Sequence, residues 1–288
     1  MIVEPSQAII RPTRDGSHVQ AIPQGTIGRQ KRRGGRRQLV FCPGLFFKIG
    51  RTGPERAMVA RECAAARAVA AHPFWKDVPA RVYRIPSLGF VARRGRPAAP
   101  DDFDALVELV ETLFGAALAY PAADTVDSLR GRPLFGHLDR RERSALVAAA
   151  SGLRLPRTSM HGDVHVFNFV FVGSRPRLVD WEFFDPEGSF VFDYLDFFIS
   201  VSAINTDDPW HAIMRRLRTS HPALVAVADR LRLAPRALLA YYLFLKTDTV
   251  LSLSGAFRRG DEQFFNDHLA GLRLALGITE PTPRPWSP

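Results

Sequence analysis

Hydrophobic and polar positions alternate in two different ways along this chain. Up to about residue 97 the apolar runs are short. Gln38-Leu39-Val40-Phe41-Cys42 is β-prone, Pro43-Gly44 is a turn signal, and Leu45-Phe46-Phe47-Lys48-Ile49 follows, so the spacing predicts a hairpin. Residues 55–71 are rich in Ala and Arg, lack internal Gly or Pro, and read as a helix. A second strand pair is expected around 80–83 and 89–93, and the run 93–100 (RRGRPAAP) reads as a linker. Beyond it the pattern becomes long and helical, with helices expected at 101–119, 140–151, 191–203, 209–219, 222–231, 235–257 and 262–276. One segment of this half is strand-like, 169–172 with 178–179. No internal repeat is visible. The coarse reading is a small sheet-bearing lobe, residues 1–97, joined to a larger helical lobe, residues 98–288.

Composition narrows the function classes. The chain has 288 residues, 46% of them hydrophobic, which is too apolar for a disordered chain. Its two cysteines, Cys42 and Cys63, make no disulfide framework, and no Cys/His cluster has zinc spacing. The amino terminus lacks the apolar core of a signal peptide. The longest apolar stretches are broken by Asp193, Asp196, Lys246 and Asp248, so no segment is expected to span a membrane and a cytoplasmic location is the default.

The net charge of +10 is unevenly spread: residues 1–97 hold 19 basic and 5 acidic side chains, and the remainder is slightly acidic. Of the 39 basic residues only Lys31, Lys48, Lys76 and Lys246 are lysines, so arginine usage is a background property of the sequence. The polarity admits contact between the stretch from Arg29 to Arg37 and an anionic surface, without marking a specific nucleic-acid site.

The chemistry-bearing residues sit at the strand-like exception, SMHGDVHVFNFVFVGSRPRLVDWEFFDPEGSFVFDYLDF from Ser159. Asp163 and Asn168 lie on one loop, five residues apart, and Asp180 opens the turn after the next strand, twelve residues on. A hairpin brings its two ends together, which places Asn168 near Asp180. A carboxylate with an amide oxygen, both hard donors, suits Mg²⁺, which takes one or two carboxylates and fills its shell with phosphates and water. Asp163 is then free to orient or deprotonate a hydroxyl.

HGDVHVFN resembles the HGDxHxxN motif of the aminoglycoside phosphotransferase/choline kinase family, relatives of the protein kinases. The resemblance, over residues 35–200, implies an α+β bilobal protein-kinase-like fold with a small β-sheet lobe and a larger helical lobe. It implies Asp163 as catalytic base, Asn168 as a metal ligand, and Asp180, in Leu178-Val179-Asp180-Trp181-Glu182, as the principal Mg²⁺ ligand. Gly188 with Asp193 matches a following element whose aspartate braces the catalytic loop. Such a site needs a cation on the nucleotide phosphates and a carboxylate to hold that cation. Lys48 on the second hairpin strand fits the first role. Glu62 on the next helix is favoured for the second over Glu55, whose place near the helix start suits a cap. Glu182 touches either metal or a backbone amide, and His165 shapes the loop.

The departures from the family lie at the edges of this set. No GxGxxG precedes Gln38; Gly34-Gly35 among arginines either approaches phosphate or belongs to a disordered basic arm. VFN stands where relatives often carry Pro-Gly before the asparagine. Only seven residues separate Asp180 from Gly188, which leaves no peptide platform, so a small-molecule hydroxyl is favoured as acceptor. Ten acidic and eleven basic side chains beyond residue 190 mark no acidic cleft for a polycation. The expectation is an ATP-dependent kinase acting on a sugar, a glycan precursor or an amino alcohol, with adenine near residues 91–93. The alternatives are an aminoglycoside-type antibiotic phosphotransferase, a pseudokinase or nucleotide-binding scaffold, and an anion-binding protein working through its basic arm.

Overall fold

The alternation read in residues 38–49 folds as a hairpin. β2 (Gln38–Cys42) and β3 (Leu45–Ile49) pair antiparallel around Gly44, whose φ of 72° lies in the left-handed region. The computed structural model of the protein describes residues 28–31, 38–42, 44–50, 52–86, 89–206, 213–214, 217–253 and 261–278. β1 (Gly28–Lys31) adds to β2, while β5 (Gly89–Arg93) and β4 (Val82–Ile85) extend the other side, giving an antiparallel sheet in the order β1-β2-β3-β5-β4. The start of the basic arm is therefore a strand; Gly34-Gly35 lies outside the described residues.

Helix α1 (Gly53–Ala71) begins at a capping box, in which the Thr52 hydroxyl accepts from the Glu55 N–H and the Glu55 carboxylate accepts from the Thr52 N–H. It buries Val59, Cys63, Ala66 and Val69, the i, i+4, i+7, i+10 stripe of one helical face. Val59 and Cys63 cluster with Phe90 of β5, and Phe46 and Val82 pack against them.

The expected linker at 93–100 holds a short strand, β6 (Arg96–Pro97), which pairs with β9 (Phe169–Val172); β10 (Arg175–Leu178) completes a sheet in the order β10-β9-β6. The Arg96 guanidinium lies 4.7 Å from the centroid of the Phe171 ring and pairs with Asp102. This pairing ties the hairpin after the HGD motif to the amino-terminal residues. Two compact units result: Met1–Leu113 with Asp163–Phe184, and Phe114–Gly162 with Asp185–Pro288. The division follows that strand pairing, whereas the sequence pattern changes at residue 97.

A 3-10 turn, Pro100–Asp102, precedes α2 (Phe103–Ala117). The second unit holds a small sheet of β7 (Ala122–Asp124) and β8 (Arg154–Pro156), unexpected from sequence because three-residue strands carry no period. Its helices are α3 (Val126–Arg130), α4 (Pro133–His137), α5 (Arg140–Ala150), α6 (Phe190–Thr206), α7 (Pro222–Leu231), α8 (Pro235–Leu253) and α9 (Asp261–Ala275). The helix expected at 209–219 falls mostly outside the described residues, as does the end of the one expected at 235–257.

α8 is buried almost all round from Leu238 to Asp248, so its polar residues are satisfied internally. Tyr242 and Lys246 each donate to the Asp196 carboxylate at 2.9 Å, and Asp248 accepts from the Leu134 N–H at 2.8 Å. Among the described residues no helix is long and apolar enough to cross a membrane.

Candidate active site

In the first unit, β-strand alternation puts Lys48 on the same face as Phe46, the face that packs toward α1. On α1, Glu62 sits on the buried stripe between Val59 and Ala66. The two meet: Lys48 Nζ is 2.5 Å from Glu62 Oε2, and both side chains are almost wholly buried. Nζ also donates to Asp180 Oδ1 at 2.7 Å. Glu55, the rejected alternative, caps its helix.

Asp180 reaches Lys48 from a strained backbone. Its φ of 69° and ψ of 55° are left-handed, a conformation aspartate tolerates better than most residues. The turn that follows it, Trp181–Phe183, is anchored by the indole: Trp181 Nε1 donates to the Leu178 carbonyl at 3.1 Å, and its ring packs edge-on against buried Trp75.

A third acidic side chain, Glu182, lies beside this pair. Ligand oxygens of Glu62, Asp180 and Glu182 lie within 4.8 Å of one another. Burial pushes the Glu62 carboxyl up to about 7; the Lys48 ammonium pulls it down, while Asp180 and Glu182 push it up further. Hard oxygen donors gathered in this way fit a Mg²⁺ ion. Glu182 joins this cluster more closely than its sequence context required; its only signal was a position two residues after Asp180.

The loop from Asp163 to Asn168 is tied to itself and to the hairpin end. Asn168 Nδ2 donates to the Asp163 carbonyl at 2.8 Å and to Asp163 Oδ2 at 3.2 Å. The Val179 N–H donates to the Asn168 carbonyl at 3.0 Å, which brings Asn168 beside the residue preceding Asp180, as the hairpin argument expects. His165 Nε2 lies 3.3 Å from Asp163 Oδ2, and both side chains are partly open to solvent.

In the second unit, the residues immediately preceding Asp163 are held by Asp193. Its carboxylate accepts from the His161 N–H at 2.7 Å and the Gly162 N–H at 2.8 Å, with Asp193 and His161 fully buried. Burial pushes the Asp193 carboxyl well above its ordinary value, opposed by those two donors and by Lys246. Gly188 closes against Met160 and the Asp185 carbonyl, too tightly for a Cβ.

No protein-family model matches the chain, and no curated protein matches it in sequence. Solved structures do match. A thermostable mutant of aminoglycoside phosphotransferase APH(4)-Ia, in ternary complex with AMP-PNP and hygromycin B, superimposes with a TM-score of 0.51 at 13% identity, covering 88% of this chain and 90% of that one. The complex of a second such mutant with ADP and hygromycin B gives a TM-score of 0.50 at 13% identity, covering 88% and 91%. A Plasmodium vivax ethanolamine kinase also gives a TM-score of 0.50 at 11% identity, covering 86% and 82%. The chain therefore has the α+β protein-kinase-like fold found in aminoglycoside phosphotransferases and ethanolamine kinases.

Proposed function

We propose that this protein is a Mg²⁺-dependent phosphotransferase that moves the γ-phosphoryl group of ATP to a hydroxyl of a small molecule. The observation that carries the reading is the buried Lys48 ammonium held at once by Glu62 and Asp180. A lysine fixed by two carboxylates is an expensive feature for a core, and one that phosphate binding explains. The nucleotide and hygromycin B in the neighbouring complexes, and the ethanolamine kinase, support a nucleotide and a small hydroxyl-bearing acceptor.

Lys48 holds the α- and β-phosphates, with adenine near Val91–Arg93 of β5. Asp180 and Asn168, with Glu182 alongside, would hold Mg²⁺, which supplies neutralisation of charge on the phosphoryl oxygens when bound. Asp163 accepts the acceptor's hydroxyl proton as that oxygen forms a bond to the γ-phosphorus. The bond from phosphorus to the β–γ bridging oxygen breaks, and ADP leaves. Asn168 holds the Asp163 carboxylate for this task through its Nδ2. Because phosphoryl transfer proceeds through a loose transition state, positioning and charge neutralisation supply most of the acceleration. A sugar, a glycan precursor or an amino alcohol is the acceptor class.

The test combines a thermal shift with turnover. MgATP raises the Tm of the wild-type chain, EDTA removes the rise, and Asp180→Ala abolishes it. Asp163→Asn keeps the shift and loses ADP formation with every acceptor. A wild-type chain indifferent to MgATP refutes the reading. Binding without transfer to any acceptor makes the protein a nucleotide-binding scaffold.

A further inference from the structure

We propose that Phe167 determines acceptor specificity, and that the acceptor is a pyranose whose C–H face covers the Phe167 ring; the inference rests on the phosphotransferase reading above. Within the 3-10 turn Val166–Asn168 the outer residues are buried, each 5% exposed, while Phe167 between them is 67% exposed. Exposed apolar side chains are ordinary when scattered. This one has a fixed place in the candidate site.

A chain of contacts links it to the catalytic base. His165 Nε2 lies 3.3 Å from Asp163 Oδ2, and the His165 and Phe167 rings meet edge to face with centroids 5.9 Å apart. Asp163, His165 and Phe167 therefore line one side of the loop, in the order carboxylate, imidazole, phenyl. Two bonds from Asn168 Nδ2 to Asp163 and one from the Val179 N–H to the Asn168 carbonyl hold the backbone that presents them. The phenyl ring is thus preorganised, not carried on a free arm.

An acceptor whose hydroxyl sits at Asp163 extends along this side. A two-carbon amino alcohol reaches the imidazole and leaves the phenyl wet. A pyranose carries its ring onward over Phe167, sets its axial C–H groups on the π-face, and keeps its remaining hydroxyls toward His165 and water. Aromatic surface is suited to such an amphipathic partner, since covering it removes apolar area from water without stripping hydroxyls of their hydrogen bonds.

The experiment measures initial rates of ADP formation with methyl α-D-glucopyranoside, methyl α-D-mannopyranoside, methyl β-D-galactopyranoside and methyl N-acetyl-β-D-glucosaminide, against ethanolamine and choline. Wild type, Phe167→Ala and Phe167→Trp are compared. The expected result is turnover of at least one pyranoside by wild type. Phe167→Ala raises the KM for that sugar about ten-fold with kcat within about two-fold, and Phe167→Trp restores it. The thermal shift with MgATP, unchanged in Phe167→Ala, shows that the variant is folded and its nucleotide site intact. Transfer to ethanolamine or choline but to no pyranoside overturns the inference and leaves the phosphotransferase reading standing. So does a Phe167→Ala variant with unaltered sugar KM. A wild-type chain without any MgATP shift overturns both.

Discussion

Replacing Lys48 by methionine separates what this side chain does for the fold from the nucleotide-binding role proposed for it. Its ammonium is 2.5 Å from Glu62 and 2.7 Å from Asp180, with the three side chains between 3% and 9% exposed. Lys48→Met takes this ammonium away from two buried carboxylates, with a third, Glu182, close by. Removing one partner of a buried pair costs about 3–5 kcal/mol, because the surviving charge stays desolvated. For a chain of this size that corresponds to a fall in Tm on the order of 10 °C. Adding Glu62→Gln removes one of the two carboxylates that faced the ammonium and recovers at least half of the loss. MgCl₂ alone raises the Tm of Lys48→Met more than that of wild type, since taking one positive charge away from these oxygens strengthens their attraction for a dication. The MgATP shift stays absent in both variants, because neither has a cation for the α- and β-phosphates. Thermal melts at pH 7.5, with and without MgCl₂ and ATP, give all four quantities. A loss below about 1 kcal/mol for Lys48→Met, or a double variant no better than the single one, refutes the reasoning that the pair is buried and mutually dependent.

Two further outcomes are expected. A Cβ at Gly95 would lie 2.8 Å from Val170 Cβ and 2.9 Å from the Phe171 carbonyl oxygen, so Gly95→Ala forces the segment before β6 away from β9 and destabilises the protein by about 1–3 kcal/mol, read by urea denaturation. His221 caps α7: the Ala223 N–H donates to Nδ1 at 3.3 Å, so Nε2 carries the proton and donates to the Ser202 hydroxyl at 3.1 Å. Burial lowers the imidazole from its ordinary 6.5, so the folded state resists protonation that the unfolded state accepts. The stability it contributes is present above pH 6.5 and is lost as pH falls toward the folded value. The Tm advantage of wild type over His221→Asn, which keeps a capping side chain, therefore shrinks between pH 7.5 and 5.5; an advantage that grows on acidification contradicts the assignment.

What could be read in the sequence depended on how local the signal was. Asp163, Asn168 and Asp180 lie on one loop and one hairpin, so the turn between β9 and β10 suffices to bring Val179 against Asn168. Lys48 stood out because lysine is scarce in an arginine-rich chain and its place on the second hairpin strand suited the cation that the resemblance calls for. Its choice of Glu62 over Glu55 turns on helix geometry. Glu55 is spent on Thr52, whereas Glu62 falls on the Val59–Cys63–Ala66 stripe. The missed elements have the opposite character. β6 has two residues and β7 and β8 three each, too few to show a period, and they exist only through partners distant in sequence. β1 hides in the opposite way, since Gly28-Arg29-Gln30-Lys31 has no apolar residue to alternate, and only its register against β2 makes it a strand.

The Asp196–Lys246 pair shows the same limit in the helices. Each charge read as a break in an apolar run, excluding a membrane span, and only the packing of α6 on α8 reveals that one break answers the other. The candidate site is therefore legible where a motif confines it. The acceptor role proposed for Phe167 is harder to read, because its meaning comes from standing beside His165 and Asp163 and not from its own residue type.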